Sequence, residues 1–368
     1  MVETAMVLLA VIAGLVGASY VVETLRKLPA APERLPWAPD LPVRFVDVDG
    51  LSLRYVVDGD GPPLVLLHTL RTQLDMYQRV LPGLAGRFRV FAVDLPGHGW
   101  SDIPLDDLAP ELFVRTIAGF LDRLDVRDAV VVGESIGGTI ALLLAARRHP
   151  RVRRVVAVNP YDYDRGRGLR RSSALANVLF GLDGVPLLGA TIHRLRRYEI
   201  FRKVLEGGVV RRDAVPDELA REMYAVGNRP GHARAFRSLV RRWPDWERAR
   251  SEYGRIAVPA VLLYGEDDWS RSEERATTAR AVPGARMRLV EGAGHFLSLD
   301  APAEIVRAVL DSEDGRGDDE VPPVRLSRGH DVGGRHEGVT PPPVNGPGPL
   351  PVPGRWVGPV EGGWNVRA

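Results

Sequence analysis

Residues 133–137, with the sequence Gly-Glu-Ser-Ile-Gly, constrain the fold of this chain more than any other stretch. They follow the apolar run 129–132 and precede an apolar, helix-like segment over 138–146. A strand, a tight turn carrying serine and a helix make a nucleophile elbow. The two glycines leave room for the turn, and the helix N-terminus faces negative charge developing beside the serine. The pattern therefore predicts Ser135 as a nucleophile.

A serine hydroxyl is a poor nucleophile at its own pKa, so it needs a histidine base and an acid that orients the histidine. Residues 259–264 predict a buried strand that ends in Gly-Glu-Asp-Asp-Trp, which puts Asp268 at the carboxyl edge of a sheet. A further strand over 285–290 leads into a glycine-rich loop that carries His295. We therefore expect Asp268 as the acid and His295 as the base.

Other positions for the acid stay open at this point. Asp267 could be the acid if Asp268 caps the helix that begins at about residue 270. Asp162 and Asp164 follow the predicted strand 155–158 and are the other candidates for the acid.

Two further motifs extend the pattern toward a known family. Residues 66–70, Leu-Leu-His-Thr-Leu, and residues 94–102, Asp-Leu-Pro-Gly-His-Gly-Trp-Ser-Asp, resemble the turns after the third and fourth strands of the α/β-hydrolases. Together with the elbow, they make the chain similar to that family from about residue 43 to 310. The resemblance implies a mostly parallel central sheet flanked by helices, with a helical cap inserted after the sixth strand.

The resemblance also implies how the site works. The backbone N–H groups of Ile136 and Leu70 would form the oxyanion hole, with Thr69 as an alternative donor because the family usually has glycine there. Arg71 and Gln73 follow directly, and they either contact substrate or begin a solvated helix. The expected activity is hydrolysis of a small-molecule carboxylic ester through an acyl-enzyme, with no cofactor and no metal. Carbon–carbon bond hydrolysis, haloperoxidase-like perhydrolysis, acyl transfer and a non-catalytic binding role are alternatives.

We divide the chain by these patterns. Residues 43–160 and 257–311 are predicted to form the hydrolase core, and residues 161–256 the cap, with helices over 173–180, 187–205 and 217–242. Residues 28–42 are a proline-rich linker. Residues 312–368 are rich in glycine and proline and are predicted to be disordered. Apolar cap residues could line a substrate pocket: Leu175, Val178, Leu179, Phe180, Val185, Leu187 and Leu188.

Residues 1–27 contain the uncharged apolar run 6–22, which is just long enough to cross a bilayer. Its interpretations are a membrane anchor, a cleaved signal peptide of a secreted protein, and a helix packed on the domain. The missing basic n-region disfavours a signal peptide, and the all-round apolar surface disfavours a packed helix. Arg26, Lys27 and Arg34 follow the run and favour the cytoplasmic face for the catalytic domain.

The amino-acid composition excludes several kinds of chemistry and binding. The chain has no cysteine, which excludes disulfides, thiol catalysis and cysteine-ligated metal. Its positive charge is almost all arginine and lacks an accompanying aromatic platform, so we predict no nucleic-acid binding. A basic cluster in the cap is either a solvated face or a contact with anionic lipid, and it comprises Arg194, Arg196, Arg197, Arg202 and Lys203.

Overall fold

Alternation of apolar runs with amphipathic segments produces an eight-stranded sheet flanked by helices. The computed structural model describes residues 2–26 and 29–314. Lys27 and nearly all of the predicted disordered tail, from residue 315 onward, lie outside the described residues. The strands of the main sheet are β3 (Arg44–Val48), β4 (Leu51–Asp58), β5 (Pro63–Leu67), β6 (Arg89–Val93), β7 (Ala129–Glu134), β8 (Val152–Val158), β9 (Ala260–Gly265) and β10 (Arg286–Val290).

The strand order is β10-β9-β8-β7-β5-β6-β4-β3. β3 and β6 pair with β4 in the antiparallel sense, and the other neighbours are parallel. A separate two-stranded hairpin, β1 (Arg34–Leu35) and β2 (Ala38–Pro42), occupies part of the predicted linker.

Helices cover both faces of the main sheet. In the described residues they are α1 (Val2–Thr24), α2 (Leu81–Ala85), α3 (Pro110–Arg123), α4 (Ile136–Ala146), α5 (Ala174–Leu182), α6 (Leu188–Arg194), α7 (Tyr198–Glu206), α8 (Asp217–Val226), α9 (His232–Arg241), α10 (Trp243–Ala249), α11 (Ser272–Ala281), α12 (Leu297–Asp300) and α13 (Pro302–Glu313). Short 3₁₀ helices lie at Leu74–Tyr77, Asp164–Gly166, Gly168–Arg171, Arg212–Ala214 and Arg250–Arg255. Helices α5 to α10 form an insertion after β8, the sixth strand of the sheet, so the predicted architecture is confirmed.

The continuous apolar sequence of β7 is explained by burial on both of its faces. Val131 packs in the cluster that contains Ile140 of α4, whereas Val130 and Val132 pack in the cluster that contains Ile305 of α13. Successive side chains of a strand point to opposite faces, so a strand covered by helices on both sides needs apolar residues throughout.

Two helices predicted in the insertion are each divided in the structure. Gly227 ends α8, and Gly231, with a φ of 83°, precedes α9. The break between α6 and α7 has a different cause, because the Arg26 guanidinium donates to the carbonyl oxygens of Arg194, at 2.6 Å, and Arg196, at 3.0 Å. These carbonyl groups are satisfied by a distant side chain instead of by helix continuation.

A buried ion-pair network joins β4 to the loops after β5 and β6. Arg54 is fully buried, and it donates at 2.6 Å to both Asp94 and Asp75. Asp94 also accepts from the backbone N–H groups of Leu74 and Trp100, both at 2.7 Å. Buried charges persist in proteins when they are paired and hydrogen-bonded in this way.

Replacing Arg54 by methionine should lower the free energy of unfolding by about 3–5 kcal/mol, because Asp94 and Asp75 would stay buried without their cation. Denaturant unfolding of the full chain in detergent micelles measures this change. Arg127→Met is the control, since the Arg127 side chain is 72% exposed beside Asp125, and its unfolding midpoint should stay unchanged. Equal midpoints for the two variants would contradict the assigned importance of the network.

Candidate active site

The tight turn between β7 and α4 requires glycine two residues before and two residues after Ser135. Ser135 has φ 58° and ψ −118°, a conformation that costs a non-glycine residue about 1–3 kcal/mol. A Cβ atom on Gly133 would lie 2.1 Å from the carbonyl oxygen of Gly137, and one on Gly137 would lie 2.1 Å from that of Leu67. The close approach holds the first turn of α4 against the end of β5.

The structure brings the three predicted triad residues together from loops after three different strands. His295 Nε2 lies 2.9 Å from Ser135 Oγ, and His295 Nδ1 lies 2.5 Å from Asp268 Oδ1. With the imidazole hydrogen on Nδ1, His295 donates to Asp268 and accepts from Ser135. Ser135 and His295 have no exposed surface in this structure.

Asp268 is held as a carboxylate by its surroundings. Burial opposes its ionisation, but the adjacent His295 ring and the bonds from Ser270 outweigh burial and lower the pKa of Asp268. The backbone N–H of Ser270 donates to Asp268 Oδ2 at 3.0 Å, and the Ser270 hydroxyl donates to the same oxygen. Arg275 donates to Ser270 Oγ at 3.0 Å and so fixes the hydroxyl in turn.

Aromatic rings fix the plane of His295. The Trp269 ring is stacked on the imidazole, with ring centroids 3.7 Å apart and an interplanar angle of 11°. Phe296 and Tyr161 meet the imidazole edge to face, at 5.4 Å and 6.1 Å between centroids. No sequence motif indicated these contacts, although Trp269 is the neighbour of Asp268 and Phe296 the neighbour of His295.

Two buried side chains, which sequence reasoning also missed, connect the loops that carry the predicted triad. The Asn159 amide group donates to the carbonyl oxygen of His295 at 2.8 Å and accepts from the N–H of Gly265 at 2.9 Å. Glu134, next to the nucleophile, accepts from the Ser298 backbone N–H at 3.0 Å and from its hydroxyl at 2.7 Å. Burial raises the pKa of Glu134 to about 7.

The alternative acids do not contact His295. The Asp267 side chain is exposed, Asp162 accepts from Thr278 at 2.9 Å, and Asp164 pairs with Arg171 at 3.0 Å.

The predicted oxyanion donors lie on the two segments that the elbow packs together. Ile136 is the first residue of α4, whose initial N–H groups have no partner within the helix. In the described ranges neither its N–H nor that of Leu70 has an intramolecular acceptor. The Thr69 hydroxyl is buried and also unpartnered. The neutral His68 ring orders this loop, because it accepts from the Leu95 N–H at 2.9 Å and lies 2.7 Å from the carbonyl oxygen of Thr69.

A cavity of about 110 Å³ lies between α5, α6, α7, α9 and the loop after β5. Leu70 and Phe296 line it beside the site, and Phe201 and Phe236 line it in the insertion. Of the apolar residues proposed from sequence, Leu179 and Phe180 reach this cavity, whereas several others are exposed, namely Leu175, Val178, Val185, Leu187 and Leu188.

Arg71 and Gln73 have different environments. Arg71 lines the cavity, whereas Gln73 is buried and donates to Asp75 at 2.7 Å and to Glu222 at 3.1 Å. Among the described residues no group of three or more acidic or histidine side chains could hold a metal ion.

Comparisons with known proteins agree with this fold. Residues 62–302 match the model of a family described as alpha/beta hydrolase fold. A 2-hydroxymuconate semialdehyde hydrolase of Pseudomonas sp. (strain CF600) is 29% identical, over 73% of this chain and 92% of that protein. The magnesium-chelatase 30 kDa subunit of Rhodobacter capsulatus is 29% identical, over 71% of this chain and 91% of that protein. The crystal structure of a membrane phospholipase A, a bacterial virulence factor, is 25% identical with a TM-score of 0.63, over 85% of this chain and 95% of that one.

Replacing Glu134 by glutamine should remove a pH dependence of stability. Between its unfolded pKa, about 4.3, and the folded value of about 7, the native state binds more protons. The free energy of unfolding therefore falls as pH rises through this range, by up to about 4 kcal/mol. Glutamine stays neutral and can still form hydrogen bonds with Ser298. The stability of Glu134→Gln relative to the wild type should therefore increase from pH 5 to pH 8.

Thermal unfolding at a series of pH values measures the difference. Glu291→Gln removes the same charge from an exposed residue and should follow the wild-type curve. Parallel curves for Glu134→Gln and the wild type would show that Glu134 does not titrate in this range.

Proposed function

The chain belongs to the α/β-hydrolase fold family, and from this premise we propose that it is a serine hydrolase that cleaves carboxylic esters through an acyl-enzyme. The observation that carries the proposal is the hydrogen-bonded series from Asp268 through His295 to Ser135, at 2.5 Å and 2.9 Å. Such a series supplies a nucleophile, a base and an orienting acid in one line.

The proposed reaction has two matched halves. His295 Nε2 takes the hydroxyl proton as Ser135 Oγ bonds to the ester carbonyl carbon, and the N–H groups of Leu70 and Ile136 stabilise the oxyanion. The imidazolium, stabilised by Asp268, then gives its proton to the departing alkoxide. Water attacks the acyl-enzyme with His295 again as base, which releases the carboxylic acid and restores Ser135.

We propose that residues 161–256 act as the cap over a core of residues 43–160 and 257–311. The insertion supplies most of the cavity wall, and that wall is mostly apolar. Each methylene of an acyl chain buried there contributes about 0.8 kcal/mol, which favours substrates with a medium or long chain. The similar membrane phospholipase A supports a lipid-derived ester.

Carbon–carbon bond hydrolysis is the second candidate activity. The relative named for hydrolysis of 2-hydroxymuconate semialdehyde, at 29% identity, favours it. Ester turnover by the pure protein separates the two candidates, and a non-catalytic member of the fold would fail both reactions.

We further propose that α1 anchors the protein to a membrane, with the catalytic domain on the cytoplasmic face. Among the described residues, α1 is the helix long and apolar enough to cross a bilayer, a test that signal sequences also pass. Its apolar side chains are uncovered, since Val2, Leu9 and Leu15 are 75%, 66% and 54% exposed. A packed helix would bury such residues.

Polar contacts at the end of α1 favour an anchor that is retained. Arg196 donates to Glu23 at 2.7 Å, and Arg194 donates to Ser19 at 2.9 Å and lies 3.9 Å from the Tyr20 ring centroid. Removal of α1 would leave these two members of the basic cluster without their partners.

Ser135→Ala or His295→Ala should lower ester hydrolysis at least about a thousandfold, since oxyanion stabilisation and binding alone would remain. Hydrolysis of p-nitrophenyl hexanoate by the full chain in detergent micelles measures this loss, and the exposed Ser251→Ala serves as control. The decisive pair is Asp268→Asn, expected to be severely impaired, and Asp267→Asn, expected to be active. The reverse result would move the acid to Asp267.

Full-length protein should sediment with membranes and resist extraction by alkaline carbonate. A variant lacking residues 2–17 keeps the contacts of Ser19, Tyr20 and Glu23, so it should be soluble and its Ser135 should react with a fluorophosphonate probe. Intact full-length protein in the soluble fraction would contradict the anchor. Cleavage near residue 20 would identify a signal peptide instead.

A further inference from the structure

An arginine without an anionic partner lines the cavity beside the proposed oxyanion hole. Arg71 directly follows Leu70, and both residues line the cavity together with apolar groups of the cap. Across residues 2–26 and 29–314, no hydrogen bond or ion pair is made by the Arg71 side chain, although most cap arginines are paired.

Aromatic rings hold the Arg71 guanidinium in place. Its central carbon lies 4.9 Å from the ring centroid of Phe236 and 5.4 Å from that of Phe201. Arg71 also has a φ of 55°, in the left-handed region that non-glycine residues avoid. Rings positioned in this way attract the cation but leave its N–H groups without hydrogen-bond acceptors.

The charges around Arg71 do not balance. Arg196 and Arg26 lie nearby, and Glu23, the carboxylate on that side, is bonded to both, at 2.7 Å and 3.0 Å. His193 is paired with Asp183 at 2.8 Å, and Asp183 also forms an ion pair with Arg237 at 3.3 Å, so this carboxylate is already paired. The His232 ring, buried nearby, adds no negative charge.

Arg71 is nevertheless charged under physiological conditions. Burial and the neighbouring Arg196 lower the pKa of Arg71 to about 9, which is above neutral pH. A partly buried cation of this kind gains more from a ligand anion than an exposed cation does, because water screens it less.

We propose that Arg71 recognises an anionic group on the substrate, so that the substrate is amphipathic, with an apolar body and a carboxylate or phosphate. The inference rests on the proposed function, because it places this anion in the cavity that is lined by Leu70, a proposed oxyanion donor, and by Phe296, the neighbour of His295. A guanidinium suits either anion, since its planar N–H groups bond two oxygens of a carboxylate or phosphate at once. The apolar walls accept the rest of the molecule.

Two esters of equal acyl length test the proposal with the full chain in detergent micelles. p-Nitrophenyl hexanoate ends in a methyl group, and mono-p-nitrophenyl adipate ends in a carboxylate. The wild type should prefer the adipate in kcat/KM, and Arg71→Met should reduce that preference about ten- to a hundredfold, mainly through KM. Arg71→Gln provides a polar variant if the methionine variant fails to fold.

Arg241→Gln is the matched control, because Arg241 is exposed on α9, the helix that carries Phe236. Its preference should equal that of the wild type. The proposal would be overturned by an unchanged preference in both Arg71 variants. It would also be overturned by a wild type that turns over both esters equally, together with no anion-dependent Tm shift in the binding test below.

A binding measurement separates this proposal from the proposed function. In Ser135→Ala protein, hexyl phosphate or hexanoate should raise Tm, hexanol should not, and Arg71→Met should abolish the shift. A response to hexyl phosphate alone assigns a phosphate ligand, and a response to hexanoate alone assigns a carboxylate. A shift without ester turnover by the wild type would retain the anion site and reject the esterase. Turnover with no shift and no adipate preference would reject the anion site alone.

Discussion

The close contact between the first turn of α4 and the end of β5 is the constraint on which the site depends. Because Gly137 lies where a side chain would strike the carbonyl oxygen of Leu67, the serine and the loop at residues 68–70 are fixed to each other by backbone sterics. The strain at Ser135 is sustained by the surrounding sheet, whose central strands are covered on both faces. The position of Ser135 relative to this loop is thereby set by backbone packing rather than by flexible side chains.

The other two loops are held to this turn by buried polar groups. Asn159 forms hydrogen bonds with both the loop after β9 and the loop after β10. Glu134, which directly precedes Ser135, forms hydrogen bonds with Ser298 in the segment after His295. Each group is buried and bonded, so its removal would leave unpaired partners in a medium where they cannot reach water. The same strand ends therefore carry both reactive groups and the ties that align them.

The parts that sequence predicted are those encoded locally. The elbow and Asp268 each follow an apolar strand with a recognisable turn, and His295 lies on a glycine-rich loop after a further strand, so the neighbouring residues indicate all three. The environment of Arg71, the division of the cap helices and the stacking of Trp269 depend on contacts between distant segments. Arg26, for example, interrupts the predicted helix at 194–196 from a position 168 residues away, and no local pattern there signals it.

The complete burial of Ser135 and His295 adds a conformational step to the cycle. In the proposed mechanism, substrate reaches Ser135 only in molecules whose insertion has moved, so the observed affinity is the intrinsic affinity reduced by the fraction of open molecules. Helix α1 is bonded to that same cap through Glu23 and Arg196. With α1 as the proposed membrane anchor, the equilibrium between closed and open forms becomes a property of the protein together with the bilayer.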